Sequence, residues 1–262
     1  MKTAIIPPIH DLDLARGRHY HLLLSHLCHF PEYRDFYRDA GGYRILDNGA
    51  HENQAGEGPE HLLRLAEEIG VDEIVCPDYL FDADRTVALT GGALKVLSCT
   101  PGKRYRLMVV PQGSSLTAYR RCLFHLLELW EEHAWHRDLT IGVSKDYEEL
   151  PGGLLRLLER DIIPLADEFS AEVHLLGWGR KATDLWEISR TFGERIRSID
   201  SAKPVVYARY NQLLPLPWSD EFPAYPGRPR DYFTTPLTPE QRRMAIKNIV
   251  AFERWANEGE NT

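Results

Sequence analysis

Four short apolar runs in this chain end in an acid or amide and then a turn-forming residue. They are Arg44-Ile45-Leu46-Asp47-Asn48-Gly49-Ala50, Ile74-Val75-Cys76-Pro77-Asp78, Met108-Val109-Val110-Pro111-Gln112-Gly113 and Arg197-Ser198-Ile199-Asp200-Ser201. Their wide separation suggests polar groups delivered by different strands to one rim. Three carboxylates and a carboxamide are equipment for polar chemistry at such a rim. A carboxylate can act as a covalent nucleophile or as a general acid or base. Carboxylates also accept from adjacent N–H donors, and an amide or backbone N–H serves a carbonyl oxygen.

The elements that must carry these residues alternate. Thr3–Ile6 reads as a short buried strand stopped by Pro7-Pro8. His19–Phe30 reads as a helix, interrupted by Pro31 before a second amphipathic piece to Asp39. Strands are predicted at Arg44–Asp47, Glu73–Cys76, Tyr105–Val110, Asp138–Val143, Glu172–Leu176 and Arg197–Ile199. Helices are predicted from Pro59 to about Ile69, Asp82 to about Ser98, after the possible caps Ser114-Ser115 to about Trp135, Gly152 to Phe169 and Ala182 to Phe192. Val205–Ala208 fits a strand or a helix start, and Asp231–Phe233 a short eighth strand. Thr238 caps a final helix to about Ala256.

Seven or eight strand–helix units in 262 residues predict an α/β fold, a (β/α)8 barrel in a single domain over residues 1–262. A Pro- and aromatic-rich insertion is expected at about 209–238. The doubly wound alternative calls for a glycine fingerprint after the first strand, where this chain has Pro7-Pro8-Ile9-His10.

The net charge of −8 argues against a broadly basic nucleic-acid surface. Seven basic against four acidic residues between Arg180 and Arg209 allow a local basic patch. No stretch is long and apolar enough for a transmembrane helix, and the proline-rich start does not read as a signal peptide. The expectation is a cytoplasmic protein. Cys28, Cys76, Cys99 and Cys122 form no CxxC pair, and His10, His51 and His174 follow no metal-ligand spacing. No metal and no cofactor are expected.

The same stretches carry a family resemblance. Leu46-Asp47-Asn48-Gly49-Ala50 resembles the Asp-Ser-Gly-Gly stretch of tRNA-guanine transglycosylases, and Val110-Pro111-Gln112-Gly113 their Val-Gln-Gly. Ile141-Gly142-Val143-Ser144 resembles their Gly-Gly-Leu-Ser/Ala-Val stretch, and His174-Leu175-Leu176-Gly177-Trp178-Gly179-Arg180 their His/Tyr-Leu-Met/Leu-Gly-Val/Ile-Gly. Ser198-Ile199-Asp200-Ser201 stands where they have Phe-Asp-Cys/Ser. All five occur in the family's order. The family's zinc site has no counterpart and the chain is shorter, so the resemblance is nearer to the DpdA-type branch of phage and bacteria.

Members of that branch exchange guanine in DNA for a 7-deazaguanine such as 7-cyano-7-deazaguanine (preQ0). The resemblance implies Asp200 as nucleophile and Asp47 as general acid/base. It implies base contacts from Asp78, Gln112, Asn48, Leu176 and the backbone at Gly142 and Val143. Arg180, Lys203, Arg209, Arg228 and Arg230 are candidate phosphate contacts, and the Leu213–Phe233 segment with Trp218 and Tyr225 a candidate nucleic-acid surface. DNA is the expected partner, with tRNA the alternative substrate. A partner protein or a homodimer stays open, as does a non-catalytic base-binding role. A duplex substrate implies base flipping and salt-sensitive binding.

Overall fold

The computed structural model describes residues 1–100, 104–147, 153–177, 182–215 and 223–257. Eight strands alternate with helices: β1 Lys2–Ile5, β2 Tyr20–Leu24, α1 Pro31–Asp39, β3 Tyr43–Asp47, α2 Ala50–Asn53, α3 Pro59–Ile69, β4 Glu73–Val75, α4 Ala83–Ser98, β5 Arg106–Val109, α5 Leu116–His133, β6 Leu139–Ser144, α6 Gly153–Leu157, α7 Ile163–Glu168, β7 Glu172–Leu176, α8 Ala182–Phe192, β8 Ser198–Ser201, α9 Lys203–Arg209 and α10 Pro239–Asn257. The sheet runs β1-β8-β7-β6-β5-β4-β3-β2. This is the (β/α)8 barrel fold, as the alternation predicts. Parallel strands covered by helices are buried on both faces, so they read as apolar runs.

The chain divides into two compact units, Met1–His21 with Leu175–Thr262, and Leu22–His174. In the second unit β3, β4, β5 and β6 pair in parallel, with Leu46 opposite Ile74 and Val75 opposite Met108. Its helix starts follow the sequence signals. Pro59 occupies the first turn of α3, which closes on left-handed Gly70. Asp82 caps α4 by accepting from Arg85 N, and Ser115 caps α5 by accepting from Ala118 N. Between α6 and α7 the helix widens into a π turn at Leu158–Ile162. Pro164, just beyond, has no N–H to return to the carbonyl four residues back.

In the first unit β1 pairs with β8, Ala4 opposite Asp200. Thr238 and Gln241 cap α10 reciprocally: Thr238 N donates to Gln241 Oε1 at 3.0 Å, and Gln241 N to Thr238 Oγ1 at 3.2 Å. The stretch Val205–Ala208, open between two readings, belongs to α9, with Pro204 in its first turn. The described parts of the 209–238 insertion hold no strand and, past Arg209, no helix.

Two expectations are corrected. His19–Phe30 is not a helix: its first half is β2, followed by a 3-10 turn at Ser25–Leu27. All five residues Tyr20-His21-Leu22-Leu23-Leu24 are buried, so neither helical nor alternating periodicity marks them. The expected eighth strand at Asp231–Phe233 is a turn, with Thr234 N and Thr235 N both donating to Asp231 O. Tyr232 is buried there, and its hydroxyl donates to Ile6 O at 2.6 Å, beside the end of β1.

Candidate active site

In the unit Leu22–His174, polar groups stand just past the ends of four neighbouring strands. Asp47 is the last residue of β3 and Asn48 follows it; Asp78, Gln112 and Tyr147 each lie three residues beyond β4, β5 and β6. Strand C-terminal ends are where barrels place chemistry. Asp47 Oδ2 accepts from Gly49 N at 3.0 Å, the Asx turn that an Asp-Asn-Gly sequence favours. Asn48 Oδ1 accepts from Ala50 N, while its Nδ2 donates to Cys76 O and to Asp78 Oδ1, each at 2.7 Å. Gln112 Nε2 donates to the other carboxylate oxygen, Asp78 Oδ2, at 2.6 Å. Gln112 Oε1 accepts from the Tyr147 hydroxyl at 2.8 Å and from Phe81 N at 3.1 Å. Tyr147 in turn accepts from Gly113 N at 2.8 Å.

The loops that hold these groups are tied to one another. Gly56 N donates to Asp78 O at 2.8 Å, and Glu57 N to Asn48 O. A side chain on Gly56 would meet Pro77 Cα at 2.7 Å, so only glycine allows this approach. From α4, Thr90 Oγ1 donates to Pro77 O, and Thr86 Oγ1 bonds both N and O of Tyr79.

Asn48, Asp78 and Gln112 are buried. Burial pushes the Asp78 carboxyl up from 3.8 to about 6, and the amide donors of Asn48 and Gln112 oppose that rise without cancelling it. The neighbouring thiols are held protonated for the same reason, Cys76 at about 12 and Cys122 at about 11. Neither is a nucleophile at neutral pH. Among the described residues no group of three or more His, Cys, Asp or Glu could hold a metal ion. The unit thus carries one buried carboxylate with both oxygens positioned by side-chain amides. That suits a ligand edge with adjacent N–H donors.

No known protein family and no curated protein matches this chain.

In the unit Met1–His21 with Leu175–Thr262, Asp200 is buried within β8, and its Oδ1 accepts from Gly177 N at 3.0 Å. Leu176, the last residue of β7, is half-buried. Lys203 opens α9, with its ammonium 5.0 Å from the centre of the Tyr225 ring. Arg209 donates to Thr235 O at 2.8 Å and to Asp231 Oδ2 at 3.2 Å, so its guanidinium braces the turn at 231–235. Arg228 stacks 4.8 Å from the Phe233 ring centre. Of the four described cations expected to meet phosphate, Arg230 alone is exposed. Arg180 and Trp218 lie outside the described residues.

Gly142 and Val143 are buried inside β6, in the same unit as Asp78. Sequence reasoning missed Tyr147 and Phe81. The signal for Tyr147 was its place just past a strand end.

The Asp78 environment makes a pH prediction. A carboxyl whose folded pKa is raised binds its proton more tightly in the native state. The stability it contributes is fully present below about 3.8 and is lost as pH rises through about 6. The span corresponds to roughly 3 kcal/mol. In urea titrations from about pH 4 to about pH 7.5, wild type is expected to lose up to roughly that much more stability than Asp78→Asn. Parallel curves for the two proteins would show that Asp78 does not carry the titration.

Proposed function

We propose that this chain is a nucleic-acid base transglycosylase that exchanges guanine in DNA for a 7-deazaguanine, such as 7-cyano-7-deazaguanine, through a covalent aspartyl-glycosyl intermediate. The observation that carries the proposal is the buried Asp78 carboxylate, gripped by the Asn48 and Gln112 amides. Ionised, it suits the N1–H and N2–H₂ donors of a guanine-type edge, and the buried surroundings strengthen such bonds. The order of strand-end motifs and the barrel fold support the same reading.

The chemistry balances without a redox partner. A carboxylate oxygen of Asp200 bonds to C1′ as the C1′–N9 bond breaks, and the departing guanine takes a proton from Asp47. The incoming 7-deazaguanine gives its N9 proton to Asp47 and attacks C1′, which releases the Asp200 carboxylate. Two inversions leave the sugar configuration unchanged. Arg228 and Arg230 are the proposed phosphate contacts.

The test is incorporation of labelled guanine or 7-cyano-7-deazaguanine into plasmid DNA and bulk tRNA, side by side. Label in DNA supports the proposal. Label in tRNA alone moves the activity to tRNA. Label in neither, with folded protein, removes the claim that this chain acts alone as the enzyme.

A further inference from the structure

Phe81 is the one aromatic side chain of the Pro77–Asp82 loop that is half exposed to water, at 49%. Its backbone adopts φ +60°, a left-handed conformation that a bulky side chain rarely takes. Local conformations of this kind persist only when the surroundings impose them. Here the imposing contact is the bond from Phe81 N to Gln112 Oε1 at 3.1 Å. The same amide holds the Asp78 carboxylate through its nitrogen, and the Tyr147 hydroxyl that fixes it belongs to a ring 6.3 Å from that of Phe81, edge to face. The exposed ring is therefore keyed to the buried carboxylate through a single side chain. The outer loop is held as well, since Leu80 N donates to Gln54 O.

We infer that Phe81 is a stacking platform for the ligand whose edge meets Asp78, which makes the ligand a flat, aromatic heterocycle with adjacent N–H donors. The inference rests on the base-exchange reading and adds a residue that selects the substrate by shape. Uncovered, the ring leaves apolar surface in water on a strained backbone. A planar base laid on it removes that surface from water and gains ring–ring contact.

Equilibrium dialysis of guanine and of 7-cyano-7-deazaguanine against wild type, Phe81→Trp and Phe81→Gly tests this. Glycine relieves the left-handed strain, so Phe81→Gly is expected to unfold at the same urea concentration as wild type or higher. It should nevertheless bind the bases about 5- to 150-fold more weakly, the range that aromatic–base stacking covers. Phe81→Trp should bind within a few-fold of wild type. Unchanged binding by a folded Phe81→Gly protein overturns the platform and leaves the base-exchange reading standing. Failure of folded wild type to bind either base overturns both.

Discussion

Asp200→Asn is expected to lower base exchange by about 10⁴-fold or more, the scale set by removing a covalent nucleophile. Asparagine keeps the oxygen that accepts from Gly177 N, so the local bond survives while the attacking carboxylate is lost. Asp200→Ala is the poorer probe, because it leaves the Gly177 N–H without its acceptor, at about 1–3 kcal/mol in a buried setting. Two measurements separate chemistry from folding. Wild-type protein with DNA and no incoming base should give a protein–DNA adduct on a denaturing gel, and Asp200→Asn should give none. Dialysis of the free base should be unchanged, since the proposed edge contacts lie at Asp78 and Gln112. Asp47→Asn should lose about 10²- to 10⁴-fold, the range for a general acid/base. Near-wild-type turnover by Asp200→Asn would end the nucleophile assignment.

Gly113→Ala is expected to destabilise the protein by about 3 kcal/mol or more, through overpacking against rigid atoms. The added Cβ would sit 2.4 Å from Tyr119 N, 2.7 Å from Ala118 C and 2.9 Å from Tyr119 Cα. All three are backbone atoms in the first turn of α5, where Tyr119 N already donates to Ser115 O. No rotamer change relieves the clash; β5's exit loop and α5 would have to separate. That movement would also break the Gly113 N to Tyr147 bond and so loosen Gln112. Gly92→Ala is the matched control: it lies within α4 with nothing near the added Cβ, and alanine should gain about 0.5–1 kcal/mol there. Urea unfolding of the two variants should therefore move in opposite directions. Equal stability of Gly113→Ala and wild type would refute the close approach.

What the sequence made legible was local. Asp47-Asn48-Gly49, Asp78 and Gln112-Gly113 stand out because an apolar run meets a polar turn-former, which is how a strand ends. Thr238-Pro239-Glu240-Gln241 announces α10 because cap and first turn are contiguous. What was hidden depends on distant partners. Tyr20–Leu24 is a strand because both its faces are buried, a fact no window of five residues contains. Phe81 gives no local sign of its left-handed backbone, which Gln112 imposes from 31 residues away. Arg209 reads as a free cation, yet it braces Asp231 and Thr235, 22 and 26 residues on. Asp231–Phe233 looks β-forming, but the Asp231 carboxylate accepts from Thr235 Oγ1 at 2.6 Å and folds the segment into a turn.

The pairing of β1 with β8 has a kinetic consequence. In the strand order β1 stands next to β8, and its register joins Lys2 to Ser198 and Ile5 to Ser201. Closing a loop of that length opposes pairing by about 5 kcal/mol of chain entropy before any contact compensates. By contrast, β3, β4, β5 and β6 each find a partner within one helix's length of sequence. On the ribosome, β1 is made about 190 residues before β8, its partner, is available. The edge of β1 that pairs with β8 stays open to wrong partners until β8 emerges, and a pairing this non-local slows folding.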